Sequence, residues 1–316
     1  MSEERPDLSF VVPLFNTGAG LPALLESFRS LQLRESWEVV LVDDGSVDET
    51  VTTVQKLWRE LPAQVTLVEL ARNYGEHAAV LEGYRHTRGE FVVNLDDDLQ
   101  NPVEEAVRLL RHLRDGGAEV VYARFKEKQH SWLRNAGSRA VNWMATLLMD
   151  KPRDLYLSSF RALRRGLLQR VVRHAGPFPY IDGLILQATS RIAQLEVRHE
   201  ARAQGESGYT WRKLIRLAMN VCFDFSLMPL RVAGVLGLAL CAVGLLVIGE
   251  VVLETLFIAR KQPGWASLMG VLVTFAGAQL VTLGVIGEYV GRTFLTVSGR
   301  PQSMVRAVTV HSPHKP

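Results

Sequence analysis

Residues 91–101 read FVVNLDDDLQN, an apolar run that ends in three consecutive carboxylates, Asp96, Asp97 and Asp98. Like charges side by side repel, and carboxylates are depleted from strands. In an extended chain alternate residues face the same side. Asp96 and Asp98 then point into one site, Asp97 turns away, and Gln100 adds an amide oxygen two residues on. A divalent cation relieves the repulsion. Magnesium takes oxygen ligands, keeps some waters, and is typically held by one or two carboxylates together with substrate phosphates. Such a site suits a nucleoside diphosphate. A solvated turn or a helix cap is the plain alternative for an isolated acidic triplet. The position at a strand end, opposite a second acidic pair at Asp43-Asp44, favours the site.

The elements that must hold this cluster alternate. Leu8–Leu14, Trp37–Val42, Val65–Leu70, Glu90–Leu95 and Glu119–Ala123 read as strands, and the segments between them carry helical spacing. That order argues for an α/β fold with a mostly parallel sheet covered on both faces. In such sheets ligands bind outside the carboxyl ends of the strands. The polar groups gather there: Asn16 after the first strand, Asp43 and Asp44 after the second, Arg72 and Asn73 after the third, Asp96 to Asp98 after the fourth. Ser131 to Arg173 reads as helical and basic.

The last third of the chain differs in character. Val232–Gly249 and Trp265–Gly287 carry no charge, and about 20 apolar residues cross a bilayer core as a helix. Two transmembrane helices are expected. Arg212, Lys213, Arg216 and Arg231 precede the first, Arg292, Arg300 and Arg306 follow the second, and only Arg260 and Lys261 lie between. By the positive-inside rule both termini face the cytoplasm. Trp211, Leu214, Ile215, Ala218, Cys222 and Phe225 form one apolar stripe, read as an amphipathic helix in the membrane interface; an ordinary surface helix is the alternative. Pro229 is expected to break the chain before the first span. The net charge of +3 over 316 residues does not suggest a nucleic-acid partner, and two cysteines, Cys222 and Cys241, make no disulfide framework. MSEERPDLSF is acidic without an apolar core, so no secretory signal is expected.

The stretches VVPLFN (11–16), VDDGSVDET (42–50), RNYGEHAA (72–79), LDDDLQNP (95–102), SSFRALRR (158–165), RAQGESGY (202–209) and GEYVGR (287–292) together resemble glycosyltransferase family 2, in its polyprenyl-phosphate branch. The resemblance covers roughly residues 8–306. It implies a GT-A catalytic domain over 1–207, an amphipathic juxtamembrane helix over 208–230, a two-helix transmembrane hairpin over 231–290 and a cytoplasmic tail over 291–316. It implies transfer of a sugar from a nucleotide sugar to polyprenyl phosphate at the bilayer, and self-association in relatives. Asp96, Asp98 and Arg202 would be catalytic. Pro13, Asn16, Asp43, Asp44, Asn73 and Asp96 would bind the nucleotide, and Asp98 and Gln100 would hold Mg2+ or Mn2+. Arg124, Arg134 and Ser138 would receive the lipid phosphate, with Ser207 and Tyr209 on a substrate loop. Three positions depart from the family pattern: Asp97 replaces an alanine, Gly208 a lysine, and Ser159 an aspartate found in many relatives.

A phosphate monoester has a second pKa of about 6. Near neutral pH such an acceptor is already an anionic nucleophile, and the protein need not supply a strong base. The remaining work is positional and electrostatic. His77 reads as structural, and Asp182 as either a sugar contact or a helix cap. A nucleotidyltransferase would carry a basic, glycine-rich loop after the first strand, where this chain has LFNTGAGLP. A non-catalytic scaffold is disfavoured by the intact acidic motif, and a processive synthase by the absence of a Gln-x-x-Arg-Trp motif.

Overall fold

The computed structural model describes residues 5–125, 151–152, 154–176, 178–198, 223, 226–257, 264–299 and 301–313. The chain divides into two units, Met1–Leu214 with Arg300–Pro316, and Ile215–Gly299.

The first unit is built on one eight-stranded sheet. Its strands are β1 (Leu8–Leu14), β2 (Trp37–Asp43), β3 (Gln64–Leu70), β4 (Phe91–Asn94), β5 (Val120–Phe125), β6 (Arg161–Arg164), β7 (Ile192–Val197) and β8 (Val305–His311). They lie in the order β7-β5-β6-β4-β1-β2-β3-β8. β1 pairs in parallel with β2 and β4, and β2 with β3; β6 runs antiparallel between β4 and β5. β7 is parallel to β5, and β8 closes the far edge antiparallel to β3. Among the described residues six α-helices accompany the sheet: α1 (Leu21–Arg29), α2 (Thr50–Leu57), α3 (Glu76–His86), α4 (Val103–Asp115), α5 (Arg165–Val171) and α6 (Ile181–Ala188). The mostly parallel α/β sheet is the architecture expected from the sequence.

The central strands are buried along nearly their whole length, as strands covered on both faces must be. α4 shows the matching helical logic: Val103, Ala106, Leu109, Leu110 and Leu113 recur at spacings of three and four, and all are buried. Pro13 sits inside β1 although it lacks an N–H. Val11 accepts from Leu95 on the β4 side and Leu14 accepts from Asp44 on the β2 side. Alternation turns Pro13 toward β4, whose pairing has already ended at Val11, so no ladder bond is lost.

Two expectations change. Within the stretch read as helical, Arg161–Arg164 is a strand at the centre of the sheet; residues 131–150 lie outside those described. Phe160 just before this strand and the strand's own Ala162 and Leu163 are fully buried, too few apolar positions for a helix to be told from a strand by period. Residues 291–316 are more than a tail. The second long helix continues to Val297, and β8 then joins the sheet.

The second unit holds α7 (Met228–Phe257) and α8 (Trp265–Val297). Met228–Glu250 and Gly270–Val297 have mean hydropathies of 2.6 and 1.8 and are almost wholly exposed. Both helices are long and apolar enough to cross a membrane, and their apolar surface is turned outward. The helix is interrupted at Ser226 and Leu227 just ahead of the span, and Pro229 lies in the first turn of α7, where a missing N–H costs nothing. Along α8 the hydroxyls of Thr274, Thr282, Thr293 and Thr296 each donate to the carbonyl four residues back. Polar side chains on an apolar helix are thereby satisfied internally. Tyr289 donates to the Ser226 carbonyl at 2.6 Å, and the Arg292 guanidinium lies 5.4 Å from the Phe223 ring. Most of the expected juxtamembrane helix, 209–222, lies outside the described residues.

Candidate active site

β1 to β5 and β7 all end at the same edge of the sheet, and β6 and β8 begin there. The loops at this rim bring Asn16, Asp43, Asp44, Asn73, Asp96, Asp97, Asp98 and Gln100 together, with Pro13 just below them in β1. Arg124, near the end of β5, emerges exposed at the same rim.

Each loop is held by side chains folding onto backbone. Asn16 is in the left-handed region at φ 53, which asparagine tolerates. Its Oδ1 accepts from Val47 N at 3.0 Å, and its own N–H donates to Ser46 Oγ at 2.9 Å, tying the β1 loop to the β2 loop. Asp43 accepts from Ser46 N at 3.2 Å. Asp44 accepts from Tyr74 N at 2.7 Å and Gly75 N at 2.9 Å, tying the β2 loop to the β3 loop. Between them Gly45 has φ 70, and a Cβ there would lie 2.4 Å from the Arg72 carbonyl carbon. The Asp-Asp-Gly-Ser stretch therefore needs its glycine for closeness as well as for φ.

The acidic triplet divides its labour. Asp97 accepts from the Thr17 hydroxyl, which fastens the β4 loop to the β1 loop. The residue that departs from the family pattern is thus a tether rather than surplus surface charge. Asp98 accepts from Gln100 N at 3.2 Å, across Leu99 at φ 59. Asp96 accepts from Ser159 Oγ at 2.6 Å and from Asn101 Nδ2 at 3.3 Å. Desolvation raises the Asp96 carboxyl most, the nearby charge of Glu76 adds to it, and the Ser159 hydroxyl opposes both; the result is pushed up to about 7. Burial likewise raises Asp97 and Asp44, opposed by Thr17 and by the Tyr74 and Gly75 amides respectively. Glu76 opens α3 at the mouth of the cleft. Surrounding protein raises its carboxyl first, Arg161 pulls it down, and Asp182, Asp97 and Asp98 raise it again, all tempered by its access to solvent.

The described residues contain no group of three or more His, Cys, Asp or Glu able to cage a metal by themselves. The donors present are hard oxygens, the Asp96 and Asp98 carboxylates and the Gln100 amide. That set fits a cation whose remaining ligands are water and substrate phosphate. Such a cation would offset both the burial and the neighbouring carboxylate charge that raise Asp96.

Beneath the rim lies a buried network that the sequence reading missed. Arg161, fully buried on β6, pairs with Asp182 in the first turn of α6, and Tyr122 Oη donates to the same Asp182 oxygen at 3.0 Å. Asp182 neutralises Arg161 and, two residues after the N-cap Tyr180, does not cap α6. His77 packs edge-on against Tyr180 with ring centroids 4.9 Å apart, and burial lowers its pKa to about 4. It is neutral at physiological pH, and its role is in ring packing. Thr17, Asn101 and Ser159 were also missed as partners of the acidic motif, because a hydroxyl or amide in a loop carries no periodic signal. Arg134, Ser138, Arg202, Ser207 and Tyr209 lie outside the described residues.

Residues 9–172 match the family described as glycosyl transferase family 2. The chain belongs to glycosyl transferase family 2. It is 34% identical over 99% of its length to an undecaprenyl-phosphate 4-deoxy-4-formamido-L-arabinose transferase of Serratia proteamaculans, covering 98% of that protein. The enzyme so named from Proteus mirabilis is also 34% identical, over 99% of this chain and 97% of its own. Among solved structures, glucosyl-3-phosphoglycerate synthase from Mycobacterium tuberculosis, in complex with Mn2+, UDP and glucosyl-3-phosphoglycerate, superposes with a TM-score of 0.51 at 18% identity. That similarity covers 68% of this chain and 77% of the other, and it extends to the fold. This family 2 member is a glycosyltransferase carrying two candidate membrane spans.

Proposed function

We propose that this glycosyltransferase moves one sugar, with inversion, from a UDP-linked nucleotide sugar to a polyprenyl phosphate at the cytoplasmic face of a membrane. The observation that carries the reading is a rim of acidic residues on a glycosyl transferase family 2 domain, in a chain that also bears two helices long and apolar enough to cross a membrane. Similarity along nearly the whole chain to transferases named for undecaprenyl phosphate supports the same acceptor class. The distribution of Lys and Arg around the spans supports cytoplasmic termini.

In this reading Asp44 and the loops it ties together form the nucleoside end of the cleft. Asp96 faces the ribose and diphosphate, and Asp98 with Gln100 would hold Mg2+ or Mn2+. A bound cation would neutralise charge on the departing diphosphate. Arg124, joined by Arg134 and Ser138, would receive the acceptor phosphate, and Arg202 and Ser207 would contact donor phosphate with Tyr209 beside them. The acceptor oxygen is an anion near neutral pH, with a second pKa of about 6. The chain then acts chiefly by orienting two anionic substrates and excluding water from between them.

Incubating the purified protein with a panel of UDP- and GDP-sugars, undecaprenyl phosphate and Mg2+ or Mn2+ tests this. Mass spectrometry of the lipid should show one added sugar, with release of nucleoside diphosphate. Release of pyrophosphate, or transfer to water alone, would overturn the reading.

A further inference from the structure

The two carboxylate oxygens of Asp96 are treated differently. Oδ2 accepts from both Ser159 Oγ, at 2.6 Å, and Asn101 Nδ2, at 3.3 Å. Among the described residues Oδ1 accepts no hydrogen bond. Two donors on one oxygen fix the rotation of the carboxylate and leave the other oxygen for a ligand.

The shorter of these bonds comes from a rigid mount. Ser159 immediately precedes Phe160, which is fully buried, and the strand β6. The Ser159 carbonyl accepts from Asn94 Nδ2 at 2.9 Å, and Asn94 is fully buried at the end of β4. Phe160 N donates to Ser158 Oγ at 3.2 Å, and the Phe160 carbonyl accepts from Ala123 N on β5 at 3.0 Å. The hydroxyl is thus set by three neighbouring strands, while Asp96 lies on a loop. A loop carboxylate with free rotation would lose orientational entropy on meeting its ligand; one held beforehand does not.

The charge at position 159 matters as much as the bond. Asp96, Asp97, Asp98 and Glu76 already crowd one cleft with negative charge. A carboxylate at 159 would add another anion against Asp96, whereas serine supplies a neutral donor.

We propose that Ser159 is a positioning residue of the donor site: its hydroxyl holds Asp96 by Oδ2 so that Oδ1 is presented to the nucleotide sugar and its cation. This rests on the reading of the cleft as a nucleotide-sugar site.

The test uses the full-length protein in detergent, with UDP binding measured by calorimetry with and without Mn2+, and steady-state transfer measured separately. Ser159→Ala should weaken UDP binding in the presence of Mn2+ about tenfold, the scale of one charge-assisted hydrogen bond. It should raise KM for the nucleotide sugar by a similar factor, leaving KM for the lipid phosphate and the melting temperature unchanged. Ser159→Thr, which keeps the hydroxyl, should stay within about twofold of wild type, since the bond is retained. Unchanged UDP affinity in Ser159→Ala would overturn the proposal. So would equal losses for both substrates accompanied by a lower melting temperature, or a threonine variant no better than alanine. A wild type whose UDP binding depends on Ser159 but which transfers no sugar would uphold the positioning role and overturn the proposed activity. A wild type that binds no UDP with Mn2+ would overturn both.

Discussion

Arg161 and Asp182 form an ion pair almost without solvent, their side chains 2% and 10% exposed, directly beneath the acidic rim. The pair joins β6 to α6, and the Tyr122 hydroxyl completes it. Removing one member of a buried pair strands the other charge, at a cost of about 3–5 kcal/mol. Asp182→Ala should therefore lower the melting temperature by roughly 6–20 °C, given about 2–4 °C per kcal/mol for a domain of this size. Arg161→Met combined with Asp182→Leu should recover much of that loss, because matched apolar replacements are often neutral. A single variant as stable as wild type would show that the pair does not hold these elements together.

The return of the chain after α8 makes a second prediction. Ser303 Oγ donates to the buried Glu82 at 2.9 Å, and Gln302 Nε2 donates to the carbonyls of His174 and Gly176 at 2.9 and 2.6 Å. Arg85 donates to Gln302 Oε1 at 2.8 Å, and His311 stacks on Trp58 with centroids 5.7 Å apart. Gln302→Ala should cost about 1–3 kcal/mol, through the buried groups it leaves unpaired. Deleting residues 301–316 would bare the β3 edge, and bare edges promote aggregation. Amide exchange along Val65–Leu70 checks both: protection should fall in the point variant, and the deletion should not stay monodisperse in detergent. Full protection of β3 without β8 would contradict this.

His77 provides the pH dependence. Its pKa is lowered from 6.5 to about 4 by burial, so the unfolded chain binds a proton there before the folded one does. Stability is then unaffected above pH 6.5 and declines as pH falls from 6.5 toward 4. His77→Gln should flatten that decline in melting temperature, while loss of the Tyr180 contact shifts stability equally at every pH. An equal acid slope in the variant would remove His77 as its source.

Much of this architecture was legible in the sequence, for a physical reason. β1 to β5 are continuous apolar runs between polar loops, and α4 repeats its buried residues with a helical period. The acidic motifs were legible because strand ends at one rim are where a parallel sheet places its ligands. The unread parts are those whose partners are distant. β6 is four residues with a buried arginine, and only Asp182, from another element, makes Arg161 tolerable there. β8 alternates in β fashion, but its pairing with β3 crosses nearly the whole chain. Thr17 has no signal in sequence and Ser159 stands out only as a departure from the family pattern; the role of each is defined by the carboxylate it meets.

The acceptor end of the cleft is tested through Arg124. It is exposed at the rim and distant in sequence from every Asp that would hold the donor. Arg124→Ala should raise KM for polyprenyl phosphate about tenfold, as for the loss of a charged phosphate contact, while KM for the nucleotide sugar stays within about twofold of wild type. Arg134→Ala should behave in the same way. Lipid kinetics unchanged in both variants would place the acceptor phosphate elsewhere.

The central claim is that Asp98, closing the loop after β4, holds the cation on which sugar transfer depends. The most direct measurement is the transfer rate of Asp98→Asn in a preparation shown to be folded and membrane-inserted, at saturating nucleotide sugar, lipid phosphate and Mn2+. Transfer should fall by at least about a thousandfold, the scale for losing a principal electrostatic stabiliser, with the melting temperature retained. A rate equal to wild type would contradict the account.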